Sequence, residues 1–293
     1  MLRRQKLLLA ILHASKRVLT PIEIVKLAFL LRYESEVGTD HTYYDFVPYR
    51  FGPFSFALYR ELETLHRDGY LELSESSIGL SDSTRPDVVR KIGELRIREQ
   101  KAVTGVITQF GRLKQESLVR EVYTRYPWFT INSEMKHLIP ESQPKRPRAN
   151  IAIYTSGYEG KSVDGFFDKL IRTGVRLIID VRYNPVSRKY GFAGSSLKRI
   201  GEKLGFDYTH LPELGIAGED RESLSDFGSY QRLLDRYTRN YLVKQESTLS
   251  RLADILRKKP SVLVCMEKNV DCCHRGRLAN AMAARMNLPV VHL

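Results

Sequence analysis

All three cysteines of this 293-residue chain fall between Val262 and Leu293, close to Glu267, His274, Arg275 and Arg277. An apolar run ends in Cys265, a loop carries Glu267, and Cys272-Cys273-His274-Arg275 reads as a helix start. Unpaired N–H groups and the positive end of a helix dipole suit an anion or a thiolate at such a place. Cys273, flanked by His274, Arg275 and Arg277, is therefore expected to have a lowered pKa and to be a candidate nucleophile. Cys265 could equally be a packed strand-end thiol. A second chemistry uses Glu159, Asp180, Glu267 and His210 to move protons, while Arg182, Arg188 and Arg275 hold a phosphate or phosphodiester. Its plain counterpart is an ion-pair network of the Asp180–Arg182 kind.

Two further readings are weaker. Thr155-Ser-Gly-Tyr-Glu-Gly-Lys161-Ser162 approaches the phosphate loop G-x-x-x-x-G-K-[ST], but Thr155 replaces its first glycine and the backbone cradle fails. A metal site from Cys265, Cys272, Cys273, His274 and His210 has neither a C-x-x-C pair nor paired-histidine spacing, so no metal and no cofactor is expected.

These groups need a scaffold that gathers distant segments. Ile151 to Thr155, Val175 to Val181, Phe206 to His210 and Ser261 to Cys265 read as short apolar strands, the second wholly apolar as in a buried parallel sheet. A helix over Val163 to Arg172 makes the first pair a right-handed crossover. The expected fold is a three-layer α/β domain with a mostly parallel sheet over 151–293. Ligands of such domains bind beyond the carboxyl ends of the strands, where all the residues above fall.

Upstream, 139–150 holds Pro140, Pro144 and Pro147 and reads as a linker. Residues 1–138 are expected to be mostly helical. Leu8, Ile11 and Leu12 give 3–15 one apolar face, Thr20-Pro21 starts a second helix, and Ser55 to Arg67 forms a third before a strand at Tyr70 to Leu73. Ser74 to Pro86 would be a wing tip or linker, and Ile97 to Tyr126 one more helix. That order suits a winged helix. The aromatic band from Tyr43 to Tyr59 could stack on bases or fill a small core.

The formal charge is +13, shared between 24 basic and 18 acidic residues in 1–150 and 23 and 16 in 151–293. Both halves could approach a polyanion, with DNA as the expected partner and a phosphate-bearing ligand in the pocket. No apolar run is long enough for a membrane span, and three cysteines suit a reducing, cytoplasmic setting. Homo-oligomerisation stays open.

Thr155-x-Gly157, Asp180-Val181-Arg182-x-x-Pro185-x-Ser187-Arg188, His210-x-Pro212-x-Leu214-Gly215, Cys265-x-Glu267 and Cys273-His274-Arg275 together resemble the DUF488 family signature over about 151–293. The resemblance implies a prokaryotic cytosolic α/β domain with these residues around one pocket, and no settled reaction. The stretch from Tyr43 to Leu71 resembles Panacea-type domains, which accompany toxin–antitoxin and defence proteins. The expected function is binding of nucleic acid and chemistry on nucleic acid or a nucleotide. Glu267, His210, Cys273 and Asp180 would be catalytic. Thr155, Gly157, Glu159, Arg182, Ser187, Arg188, Cys265, His274 and Arg275 would bind the ligand. The alternative is a DNA-binding regulator whose second domain senses a small ligand or redox state without catalysis.

Overall fold

Helix α1 (Arg3–Ser15) leads into helix α2 (Pro21–Tyr33), whose first turn is fixed by its own residues. Thr20 Oγ1 accepts from the Glu23 amide, the Glu23 carboxylate accepts from the Thr20 amide, and Pro21 occupies the first turn. The computed structural model describes residues 1–141, 144–218 and 226–293, in two units, Met1–Lys145 and Arg146–Leu293. Ser142 and Gln143 of the expected linker lie outside the described residues. Helix α1 buries Leu7 and Leu9 as well as Leu8, Ile11 and Leu12, so it is enclosed more widely than a one-faced helix.

The first unit continues with a hairpin, β1 (Val47–Tyr49) and β2 (Gly52–Phe54), then helix α3 (Phe56–Arg67) capped by Ser55. A second hairpin follows, β3 (Leu71–Leu73) and β4 (Ile78–Leu80). Strand β4 lies inside the stretch expected to be loop. It is held from afar, because Ile78 also bridges Leu19, between α1 and α2. Helix α4 (Arg85–Gly93) comes next, and the single helix expected over Ile97 to Tyr126 is two, α5 (Ile97–Phe110) and α6 (Gln115–Arg125). The chain turns at Gly111, where a Cβ would meet the Ile107 carbonyl oxygen at 2.6 Å. Tyr43, Tyr44 and Phe46 are buried with α2 and α6 side chains, and Phe56 is buried against Tyr49 and Phe54. The aromatic band is therefore core at these four positions, and not a stacking platform.

The second unit is a three-layer α/β fold. Its strands are β5 (Ile153–Gly157), β6 (Leu177–Asp180), β7 (Asp207–His210), β8 (Ser261–Cys265) and β9 (Val290–His292). They form one parallel sheet in the order β7-β6-β8-β5-β9. The helices are α7 (Val163–Thr173), α8 (Gly194–Lys203), α9 (Phe227–Arg236), α10 (Glu246–Lys258) and α11 (His274–Met286). Leu233, Leu252, Leu256, Leu278 and Met282, from α9 to α11, pack with Ile153, Ile179 and Leu263 of the sheet. On α8, Gly201 faces Ile178 and Phe167, side chains of the sheet's opposite face and of α7. Parallel strands joined by helices put every carboxyl end at the same edge, so segments more than 100 residues apart meet there.

Candidate functional site

Strand β8 delivers Cys265 to the carboxyl edge, and the loop after it places Glu267 beside both Cys265 and Cys273. The two thiols donate to the same carboxylate oxygen, Glu267 Oε2, at 3.0 Å from Cys265 and 2.9 Å from Cys273. Cys273 is the N-cap residue of α11, yet its side chain caps no amide. His274, the first helical residue, lies with its Nδ1 3.8 Å from Cys265 Sγ. Its Nε2 donates to the carbonyl of Val181, just past β6, at 2.9 Å. Cys265, Cys273 and His274 are all buried, and their three ligand-type atoms lie within 4.8 Å of one another.

Burial alone would raise the Glu267 pKa. The thiol hydrogen bonds from Cys273 and Cys265 outweigh it, and the carboxyl is held at about 2. The Cys273 thiol goes the other way. Burial, and then Cys265, push it well above the ordinary value. This corrects the expected lowered pKa: the thiol sits behind the helix start, in a dry place beside an ionised carboxylate. Burial lowers His274, but Cys273, the Val181 carbonyl and Glu267 together raise it further.

Two of the three arginines expected to hold an anion, Arg182 and Arg275, bind the protein instead. Arg182 donates to Asp180 from Nε at 2.8 Å and from Nη2 at 2.5 Å, and its Nη1 reaches Tyr158 Oη and the Phe192 carbonyl. Tyr208 Oη also donates to Asp180, at 2.8 Å. Asp180 and Arg182 are thus a buried structural ion pair, not an acid–base group and an anion clamp. The Arg275 guanidinium grips the loop, with Nη1 on the Glu267 carbonyl at 2.5 Å and Nη2 on the Lys268 carbonyl at 3.1 Å. Beside it, Gly157 ends β5, and a Cβ there would meet the Glu267 carbonyl oxygen at 1.8 Å. That glycine lets the β8 loop lie against β5.

Other expected residues scatter along the edge. Thr155 lies within β5, not at its end, and its hydroxyl contacts His292 Nδ1 at 2.7 Å. Glu159 is exposed and accepts from the Lys268 amide, tying two loops together. His210 Nε2 meets the Arg182 carbonyl at 2.8 Å. Ser187 Oγ accepts from the Lys189 amide, and Arg188 is exposed. Lys161 donates to Ser156 Oγ and to the Leu293 carbonyl, as a phosphate-loop lysine would not. Cys272 stands apart from the cluster, next to Asn269.

Sequence reasoning missed Tyr158, which stacks on Phe192 at 4.4 Å and steadies Arg182. It also missed the Val181 carbonyl, which orients His274. The first could have been suspected from its place between Gly157 and Glu159. The second is a backbone atom that no residue pattern reveals. With Cys265, Cys273, His274 and Glu267 gathered, the arrangement can bind a soft cation or undergo thiol chemistry, and both need the thiol hydrogens displaced.

Among the described residues, no helix is long and apolar enough to cross a membrane. No curated protein matches the chain. Residues 162–282 match a known family profile that spans Asp180 to Arg275 of the edge and leaves out Thr155, Gly157 and Glu159. The profile is that of DUF488, a domain of unknown function.

Proposed function

We propose that the protein is a nucleic-acid-binding regulator whose DUF488 domain senses a thiol-binding ligand or the redox state. The observation that carries this reading is the pair of thiols sharing one Glu267 oxygen beside His274. The phosphate-directed chemistry expected from the sequence places Arg182, Arg188 and Arg275 on an anion and uses Cys273 as a thiolate. Arg182 and Arg275 are engaged, and the Cys273 thiol is held protonated. The ionised, half-buried Glu267 favours a second reading, acid–base catalysis at the rim. Turnover of nucleic acid or nucleotide that is lost in Glu267→Gln would support it.

The nucleic-acid half of the proposal draws on the first unit. Leu19 bridging the β3–β4 hairpin, with α3 before it, is the arrangement a winged helix uses. The α3 surface exposes Arg60, His66 and Arg67, and the whole chain is basic. Binding of the full chain to a labelled DNA duplex, followed by anisotropy across a salt series, tests this. Replacing Arg60 and Arg67 with Ala should weaken binding and flatten the salt slope by about one to two contacts. Equal affinity in wild type and variant would remove α3 from the interface. No binding at low salt would end the proposal.

A further inference from the structure

We infer that Cys265, Cys273 and His274, with Glu267, form a binding site for a soft divalent cation of the zinc type. The inference rests on reading this cluster as the ligand site of the DUF488 domain. The donor set is the first argument. Two sulfurs, one imidazole nitrogen and one carboxylate are zinc ligands, and thiolates turn the preference away from calcium and magnesium. The three Cys and His donor atoms already lie within 4.8 Å of one another. Bond lengths of about 2.3 Å to sulfur and about 2.0–2.2 Å to nitrogen and oxygen set tetrahedral edges of roughly 3.5–3.8 Å. The Cys265 Sγ to His274 Nδ1 distance is 3.8 Å. Glu267 stands outside that close triad, hydrogen-bonded to both sulfurs at 3.0 and 2.9 Å, and these contacts would open as an ion enters.

The surroundings are the second argument. A ligating histidine normally gives its other ring N–H to a carbonyl or carboxylate, which fixes the tautomer and the ring. His274 does this through Nε2 and the Val181 carbonyl, and Nδ1 is left facing the sulfurs. Arg275 fixes the Glu267 loop from its backbone side, so the carboxylate is presented from a braced turn. The ligands stand on a strand end and a helix start, two rigid elements in one sheet edge. The spacing from Cys265 to Cys273 and His274 hides the site from a search for C-x-x-C pairs, because the fold closes it across a loop.

Binding is an exchange. The cation takes both sulfurs as thiolates, and the two thiol hydrogens leave to solvent as protons, with any hydrogen on His274 Nδ1. No electron moves.

The test uses reduced, chelator-treated full-length protein and zinc or cobalt alone. One zinc per chain should survive gel filtration, at least two protons should be released per ion, and zinc should shield Cys265 and Cys273 from alkylation. Cobalt should show sulfur charge-transfer bands and the intense visible bands of a tetrahedral site. Cys265→Ser and Cys273→Ser should each weaken binding ten-fold or more, while Cys272→Ala should leave it unchanged. Absence of stoichiometric zinc, an octahedral cobalt spectrum without charge transfer, or loss of binding on Cys272→Ala would each overturn the inference. The shielding and cobalt measurements need no variant, so a serine variant that fails to fold leaves them decisive. If zinc does not bind but oxidation still shifts DNA affinity, the zinc inference fails and the regulator reading stands.

Discussion

Arg182 shows how the chemistry of a residue is decided by its neighbours. Its guanidinium spends its hydrogen bonds on Asp180, Tyr158 and the Phe192 carbonyl, and both charges are buried. Asp180→Asn would leave that cation without its partner. Breaking one side of a buried pair costs about 3–5 kcal/mol. Thermal unfolding of the second unit should fall by on the order of 10 °C. An unchanged melting temperature would mean that the pair is not structural, and an anion-binding role for Arg182 would return. Gly157 makes a related point at the backbone. Gly157→Ala must push the Glu267 carbonyl away, which predicts a loss of about 1–3 kcal/mol or more, read by denaturant unfolding. Wild-type stability in that variant would show that the loop has room to give. Arg275 and Arg182 were legible as arginines at the sheet's carboxyl edge. That their donors point inward was not, because partner choice depends on which carbonyls the loops turn toward.

At the scale of elements, helix α2 carries a buried lysine whose cost depends on pH. Lys26 Nζ donates to the Pro53 carbonyl at 2.9 Å, and burial lowers its pKa from 10.5 to about 7. Between those values the unfolded chain holds the proton and the folded chain releases it, so stability of the first unit rises with pH from about 7 to 10.5. Below about 7 both states are charged and the penalty is at its full, constant size. Lys26→Met should flatten that rise, which otherwise amounts to about 1.4 kcal/mol for every tenfold difference in proton affinity between the folded and unfolded chain. Chemical denaturation at pH 7 and pH 10 checks it, and an identical slope in the variant would contradict it. Element boundaries set by local residues were readable: α1 over 3–15, the Thr20 cap, and Ser261–Cys265 as a strand. Strand β4 was not, because Ile78 sits in a serine-rich run and is held by Leu19, far away in sequence. The break at Gly111 was hidden because helix formers flank it, Glu99 to Ala102 before and Gln115 to Leu118 after. The convergence of β5, β6 and β8 on one edge was legible, since parallel strands leave no other place for their loops.

For the whole molecule, the charge excess on both halves and the thiol cluster in the second meet in one claim. Occupation of the Cys265–Glu267–Cys273–His274 cluster is proposed to change how tightly the chain holds nucleic acid. Coupling of this kind is typically 1–3 kcal/mol, or about five-fold to 150-fold in affinity. The decisive measurement is the dissociation constant of the full chain for a labelled DNA duplex at fixed salt. It is taken with the thiols reduced and the cluster empty, and again after zinc or a small thiol oxidant is added. The account predicts a change of about five-fold or more with one of these agents, absent when Cys265 and Cys273 are both serine. An affinity that neither agent alters, in protein shown to have reacted or bound, would contradict it.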